Sequence, residues 1–105
     1  MCQAYEAEKR LFNKIMGIAC IKGFAAARAG KLKKLNPYHK LYEKGMREMW
    51  DDGWECWRDK ILPWALEVVY HERGDVIGGA EARISFKKNR FLPHDLESIV
   101  ECYRA

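Results

Sequence analysis

The sequence predicts an α+β domain: an antiparallel αα-hairpin followed by a β-hairpin and a C-terminal helix. Three observations predict it: two stretches of helical period flanking a lysine-rich break, a change to period two after Pro63, and a last apolar stripe behind Pro93. At 105 residues, 49% hydrophobic and 32% charged, the chain has the length of one domain and enough apolar material for a core, which excludes a disordered or collagen-like chain. The expectation is a single domain over 1–105, with the helical hairpin at 14–61 and the β-hairpin plus helix at 64–105.

A first helix is predicted over 4–29, where Leu11, Phe12, Ile15, Met16, Ile18, Ala19 and Phe24 recur at spacings of three and four. Gly30 supplies its stop. Asn36-Pro37 reads as the cap and first turn of a second helix reaching about residue 61, with a stripe of Tyr38, Leu41, Tyr42, Met46, Met49, Trp50, Trp54, Trp57 and Ile61. So short a break returns the second helix antiparallel on the first. With the turn near Lys33, Gly23 is expected near Gly45 and Gly17 near Met49. Glycines there either let the backbones approach or are tolerated at about 1 kcal/mol each.

Beyond Pro63, Leu66, Val68 and Tyr70 alternate with Glu67, Val69 and His71, and Ala80, Ala82, Ile84 and Phe86 alternate with Glu81, Arg83, Ser85 and Lys87. This alternation predicts two strands, with Arg73-Gly74-Asp75 as the turn and Gly78-Gly79 as a bulge. A helix from Leu66 to Arg73, capped by Gly74, is the competing reading of the first. Pro93 and Asp95 open a final helix whose stripe of Leu96, Ile99, Val100 and Tyr103 can cover the hairpin.

The net charge of +4 is unevenly distributed: Lys22 to Lys44 holds seven bases (Lys22, Arg28, Lys31, Lys33, Lys34, Lys40, Lys44) and one acid, Glu43. A basic face follows, joined by a smaller cluster of Lys87, Lys88 and Arg90, and its partner should be anionic. Cysteines 2, 20, 56 and 102 form no CxxC pair and have no zinc-finger histidines, so they are expected as reduced, buried thiols of a cytoplasmic protein. Lys9, Arg10 and Lys14 before Ile15 to Ile21 and Ala25-Ala26-Ala27 imitate a secretory leader, but Glu6, Glu8 and Lys22 interrupt the pattern. No apolar run reaches the roughly twenty residues of a membrane span.

Catalysis finds little support. His39, His71 and His94 stand in no motif with serine or cysteine, and no phosphate loop surrounds Gly78-Gly79. Asp51, Asp52, Glu55 and Asp59 sit beside Arg47, Arg58 and Lys60 and read as a solvated face rather than a metal site. No enzyme, cofactor or metal is expected.

Lys31, Lys33, Lys34, Lys40 and Lys44 can neutralise phosphates, while Tyr38, His39 and Tyr42 offer stacking or polar surfaces, a mixture that suits RNA. The competing reading is a solvated lysine turn with both tyrosines buried. Trp50, Trp54 and Trp57 share one helical face, which makes them core unless the short tail leaves one for a partner.

One constellation is more specific: Gly23, six residues, Gly30, six residues, Pro37-Tyr38, then Trp50-Asp51-Asp52-Gly53-Trp54. Over residues 14–58 it resembles the bacterial ribosome modulation factor family. The resemblance implies a small basic protein on the small ribosomal subunit that reduces translation by engaging ribosomal RNA. It makes Gly23, Gly30, Pro37, Tyr38, Trp50, Gly53 and Trp54 fold-defining, with Trp57 beside them as core or partner interface. Arg28, Lys31, Lys33, Lys34, Tyr38, His39, Lys40 and Lys44 become the RNA-contact candidates. The alternative from a different class is a protein-binding inhibitor or adaptor, of mobile-element origin, acting on a larger enzyme.

Overall fold

Among the described residues five α-helices are formed, and the change to period two after Pro63 does not produce strands there. The computed structural model describes the backbone of residues 2–72 and 79–104 and the side chains of residues 14–69 and 82–104. The helices are α1 (Cys2–Arg28), α2 (Lys44–Asp59), α3 (Trp64–Glu72), α4 (Gly79–Asn89) and α5 (His94–Cys102), with a 3₁₀ turn at Lys33–Leu35. The α+β expectation is therefore corrected to an all-helical fold among the described residues.

α1 ends where its sequence provides a left-handed residue. Gly30 has φ of +82°, and the N–H groups of Gly30 and Lys31 donate to the carbonyls of Ala27 at 3.0 Å and Ala26 at 2.9 Å. These two bonds satisfy carbonyls the last turn would leave open. α2 closes the same way without glycine: Lys60 has φ of 59°, its N–H donates to Trp57, and the Ile61 N–H donates to Cys56 at 2.8 Å. The Lys60 ammonium then lies 4.2 Å from the centre of the Trp57 ring, a favourable cation–π placement.

α1 and α2 meet at backbone contact, but not as the expected antiparallel hairpin: Met16 lies against Gly45 at the start of α2, while Lys31, just beyond the end of α1, accepts from Trp54 toward the end of α2, so the two helices run in the same sense. A Cβ on Gly23 would stand 1.9 Å from the Trp50 carbonyl oxygen, and one on Gly53 would stand 1.9 Å from that of Cys20. The two glycines thus admit each other's helix at neighbouring points of one crossing. This register differs from the expected one, because Gly23 meets Trp50, and the atoms nearest a Cβ on Gly17 belong to Ala65 and Trp64. The difference follows from α2 starting at Lys44 instead of Pro37: the connection pairs Lys33 with Glu55, then Asn36 with Asp51 and Arg47, and so itself makes the return along α2 before that helix begins.

The period-two residues after Pro63 are used as helix faces. On α3, Ala65 and Leu66 are buried and Val68 turns outward, and on α4, Ala82 and Phe86 are buried while Ile84 between them is 66% exposed. A spacing of four is one helical turn, so alternation in a short run rich in Ala, Glu, Arg and Lys was compatible with either structure. The expected turn Arg73-Gly74-Asp75 and Gly78 lie outside the described residues. Arg83 donates to Glu67 and holds α4 on α3.

The core joins Cys20, Phe24 and Ala25 of α1 to Leu62, Leu66, Phe86, Leu92, Leu96, Ile99 and Val100. Phe24 meets Trp57 edge-on, centroids 5.4 Å apart and planes at 85°, and Phe86 closes the trio at 6.0 Å from Phe24 and 5.9 Å from Trp57. Edge-to-face and tilted pairs of this kind contribute beyond the area they bury. α5 completes the core against α1 rather than covering a sheet, and Arg28 ties the two helices by donating to Glu97 and Glu101.

Candidate nucleic-acid interface

Residues 29–43 connect α1 to α2, and side-chain bonds to the backbone give that connection its shape. Asn36 is buried; its Oδ1 accepts from the Tyr38 N–H at 3.0 Å, and its Nδ2 donates to the Arg47 carbonyl at 2.9 Å and to Asp51 Oδ1 at 3.0 Å. Arg47 returns a bond from Nη1 to the Tyr38 carbonyl at 2.7 Å. Two residues of α2 therefore hold the middle of the connection.

The next turn is organised by His39. Its N–H donates to Glu43 Oε1 at 3.0 Å, and its Nδ1 accepts from the N–H groups of Leu41 at 3.1 Å and Tyr42 at 3.2 Å. These local bonds occupy backbone groups that a helix starting at Pro37 would need, and asparagine is well suited to such competition. The expected helical stripe from Tyr38 to Tyr42 is accordingly absent: Leu41 and Tyr42 are 73% and 86% exposed.

The basic candidates fall into two groups. Arg28 is bound to Glu97 and Glu101, and Lys33 donates to Glu55, so both are spent on intramolecular ion pairs. Lys34, Lys40 and Lys44 are exposed on the connection or at the start of α2. Lys31 is exposed too, and its carbonyl accepts the Trp54 indole N–H at 2.8 Å. Among the described residues no acid forms an ion pair with Lys34, Lys40 or Lys44.

The aromatic candidates separate similarly. Tyr38 is half-buried, and burial, then the neighbouring Glu43 carboxylate, push its phenol pKa up. His39 and Tyr42 are exposed, with ring centroids 4.7 Å apart and planes inclined by 34°. Pro37 is exposed on the connection. Trp50 is buried and Trp54 and Trp57 are half-buried, so all three tryptophans serve the fold before any partner. Sequence reasoning missed the exposed Leu32 and Leu35 and the organising part of Asn36; the signal for the latter was an asparagine two residues before Tyr38 and a glutamate four after His39.

Elsewhere the chemistry is sparse. Burial, reinforced for each by nearby groups, pushes the Cys20 thiol up to about 12 and the Cys56 thiol up to about 11, which leaves both as thiols at neutral pH. Among the described residues no group of three His, Cys, Asp or Glu is placed to hold a metal ion, and no helix is long and apolar enough to cross a membrane. A depression of about 270 Å³ between α1 and α5 is lined by Arg28, Glu101 and Arg104 and their apolar neighbours. Lys87, Lys88 and Arg90 are exposed beside an exposed Phe91. No family model, curated protein or solved structure matches the chain.

Proposed function

We propose that the protein binds RNA through residues 31–44 and, as the resemblance to the ribosome modulation factor family suggests, does so on the small ribosomal subunit of the cytoplasm to modulate translation. The observation that supports RNA best is the placement of Lys34, Lys40 and Lys44, exposed and without an acidic partner among the described residues, on a connection fixed by Asn36 and Arg47. A fixed backbone spares binding much of the ordering cost that a flexible lysine loop carries. Lys44 adds to this: it occupies the first turn of α2, where the macrodipole disfavours a cation, and no acid lies within that turn.

The measurement is the salt dependence of binding to ribosomal subunits and to isolated ribosomal RNA. Three lysines that each neutralise a phosphate contribute a slope of about 2 to 3 in log affinity against log salt, so the Lys34, Lys40 and Lys44 triple alanine variant should show a shallower slope by that amount. Its melting temperature should stay near that of the parent, because exposed substitutions usually change stability by less than about 0.5 kcal/mol. An unchanged slope in the folded variant, or no RNA binding at low salt, overturns the proposal. The protein-binding alternative draws on Leu32, Leu35 and Leu41, all more than half exposed; association with a protein that is insensitive to salt favours it.

A further inference from the structure

We infer that the His39–Tyr42 pair is a stacking platform for an unpaired nucleobase, which makes single-stranded or looped RNA, rather than a continuous duplex, the ligand of the connection. The inference rests on the RNA reading above and narrows it. Tyr42 is 86% exposed, the most exposed large hydrophobic side chain of the described residues, yet one side of its ring is already backed by the imidazole at 4.7 Å. A solvent-facing aromatic normally moves among rotamers, and its ordering opposes binding. Here the backing ring is itself fixed: the His39 N–H, Nδ1 and carbonyl engage Glu43 Oε1, the N–H groups of Leu41 and Tyr42, and the Glu43 N–H at 2.9 to 3.2 Å.

The platform sits in a basic stretch of the chain. Lys40 lies between the two rings in the chain and Lys44 follows two residues after Tyr42, both exposed. A nucleotide stacked on the free side of Tyr42 would set its phosphates beside a segment that carries these two ammonium groups. The neighbouring carboxylate, Glu43, accepts from the His39 N–H and so already has a positively polarised partner. A base inside a duplex has both faces covered by its neighbours, so an aromatic side chain can stack only on a base that is unpaired, splayed or terminal.

The test compares an unstructured RNA of about 12 nucleotides, within the usual single-strand site range, with a duplex of equal length, using the parent, Tyr42→Ala and Tyr42→Phe. A single 2-aminopurine in the strand reports stacking through its fluorescence. Tyr42→Ala should weaken single-strand binding about 5- to 150-fold, the range for loss of one base–aromatic stack, and abolish the fluorescence quench. Tyr42→Phe keeps the ring and should restore both. Duplex affinity and the melting temperature should be unchanged, since an 86% exposed ring contributes little to the core. A parent that binds RNA no more tightly than the Tyr42→Ala variant, or equal losses for strand and duplex in that variant, overturns the platform and leaves the lysine site standing. A parent that binds neither RNA at low salt overturns both.

Discussion

Gly23→Ala separates helix propensity from helix packing. The new Cβ would lie 1.9 Å from the Trp50 carbonyl oxygen and 2.6 Å from its carbonyl carbon, whereas contacts below 3.0 Å are essentially never populated. α1 and α2 must therefore separate locally by at least 1.1 Å, the difference between 3.0 and 1.9 Å. The obstructing atom belongs to the backbone of α2 and cannot rotate aside. Overpacking of this kind costs about 1 to 3 kcal/mol, and a gap of 0.5 to 1 Å forfeits about a quarter to a half of each dispersion contact, here between Trp57 and Phe24 among others. Alanine's better helix propensity returns about 1 kcal/mol. The net loss should be about 2 kcal/mol, or a fall in melting temperature of about 10 °C for a domain of this size. Gly17→Ala is the internal control, because its Cβ would meet Ala65 and Trp64 at ordinary distances of 3.6 and 3.7 Å. It should raise the melting temperature by a few degrees, to the extent of about 1 kcal/mol. Circular dichroism melts and guanidinium titrations of the two variants provide the readout. Equal or greater stability of Gly23→Ala, or an equal loss in Gly17→Ala, refutes the close-contact account. Gly53→Ala should resemble Gly23→Ala, and the double variant should cost less than both single losses together, since one separation relieves both clashes.

Lys44→Gln should stabilise the fold by about 0.3 to 1 kcal/mol, by removing a cation from the first turn of α2, while weakening RNA binding; a melting curve and a binding isotherm on the same variant show whether the signs differ. Asn36→Ala removes three hydrogen bonds to half-buried partners, so a loss of about 1 to 2 kcal/mol is expected, with hydrogen exchange accelerating first at Tyr38. Glu101 has its pKa lowered chiefly by the Arg28 hydrogen bond, so its stabilising contribution is complete above the ordinary value of 4.5 and is lost as pH falls through the lowered folded value. Arg28→Ala should accordingly flatten the acid limb of stability against pH, and an unchanged limb argues against the α1–α5 tie. Peptide mapping after timed alkylation at neutral pH should find Cys102, which is exposed, modified before Cys56, and Cys20 last; rapid labelling of Cys20 in the folded protein contradicts its burial.

The boundaries of α1 and α5 were legible because their signals are local. Gly30 is a left-handed stop in sequence and in structure, and Pro93 with Asp95 stands where α5 opens. The start of α2 was not legible, because Asn-Pro is a good helix opening by composition and Asn36 does accept from the Tyr38 N–H as a cap would, yet the next N–H groups, of Leu41 and Tyr42, go to His39 Nδ1 instead of continuing a helix. The strands failed for another reason. Alternation treats Ile84 as equivalent to Ala82 and Phe86, and only the three-dimensional core shows that Ile84 faces solvent while the other two form one helical turn. At the interface the sequence located the basic segment but could not sort its charges: Arg28 and Lys33 find acids on α5 and α2, distant in sequence and adjacent in the fold.

That sorting separates the residues carrying the family resemblance from those carrying the proposed activity. Gly23, Gly30, Trp50, Gly53 and Trp54 are engaged in a helix end, a backbone crossing, the buried interior and a bond to the Lys31 carbonyl. Lys34, Lys40, Tyr42 and Lys44 lie outside all of these contacts and face solvent. Changes in the first set should act through stability and alter RNA binding only as the fold is lost. Changes in the second should alter binding at constant stability. The two sets meet through backbone bonds, at Lys31 beside Trp54 and at Tyr38 beside Arg47, so the helix crossing positions the connection without supplying its charge. The glycines and tryptophans therefore specify a scaffold, and on the proposed reading what it binds is set by the lysines and the exposed ring that it presents.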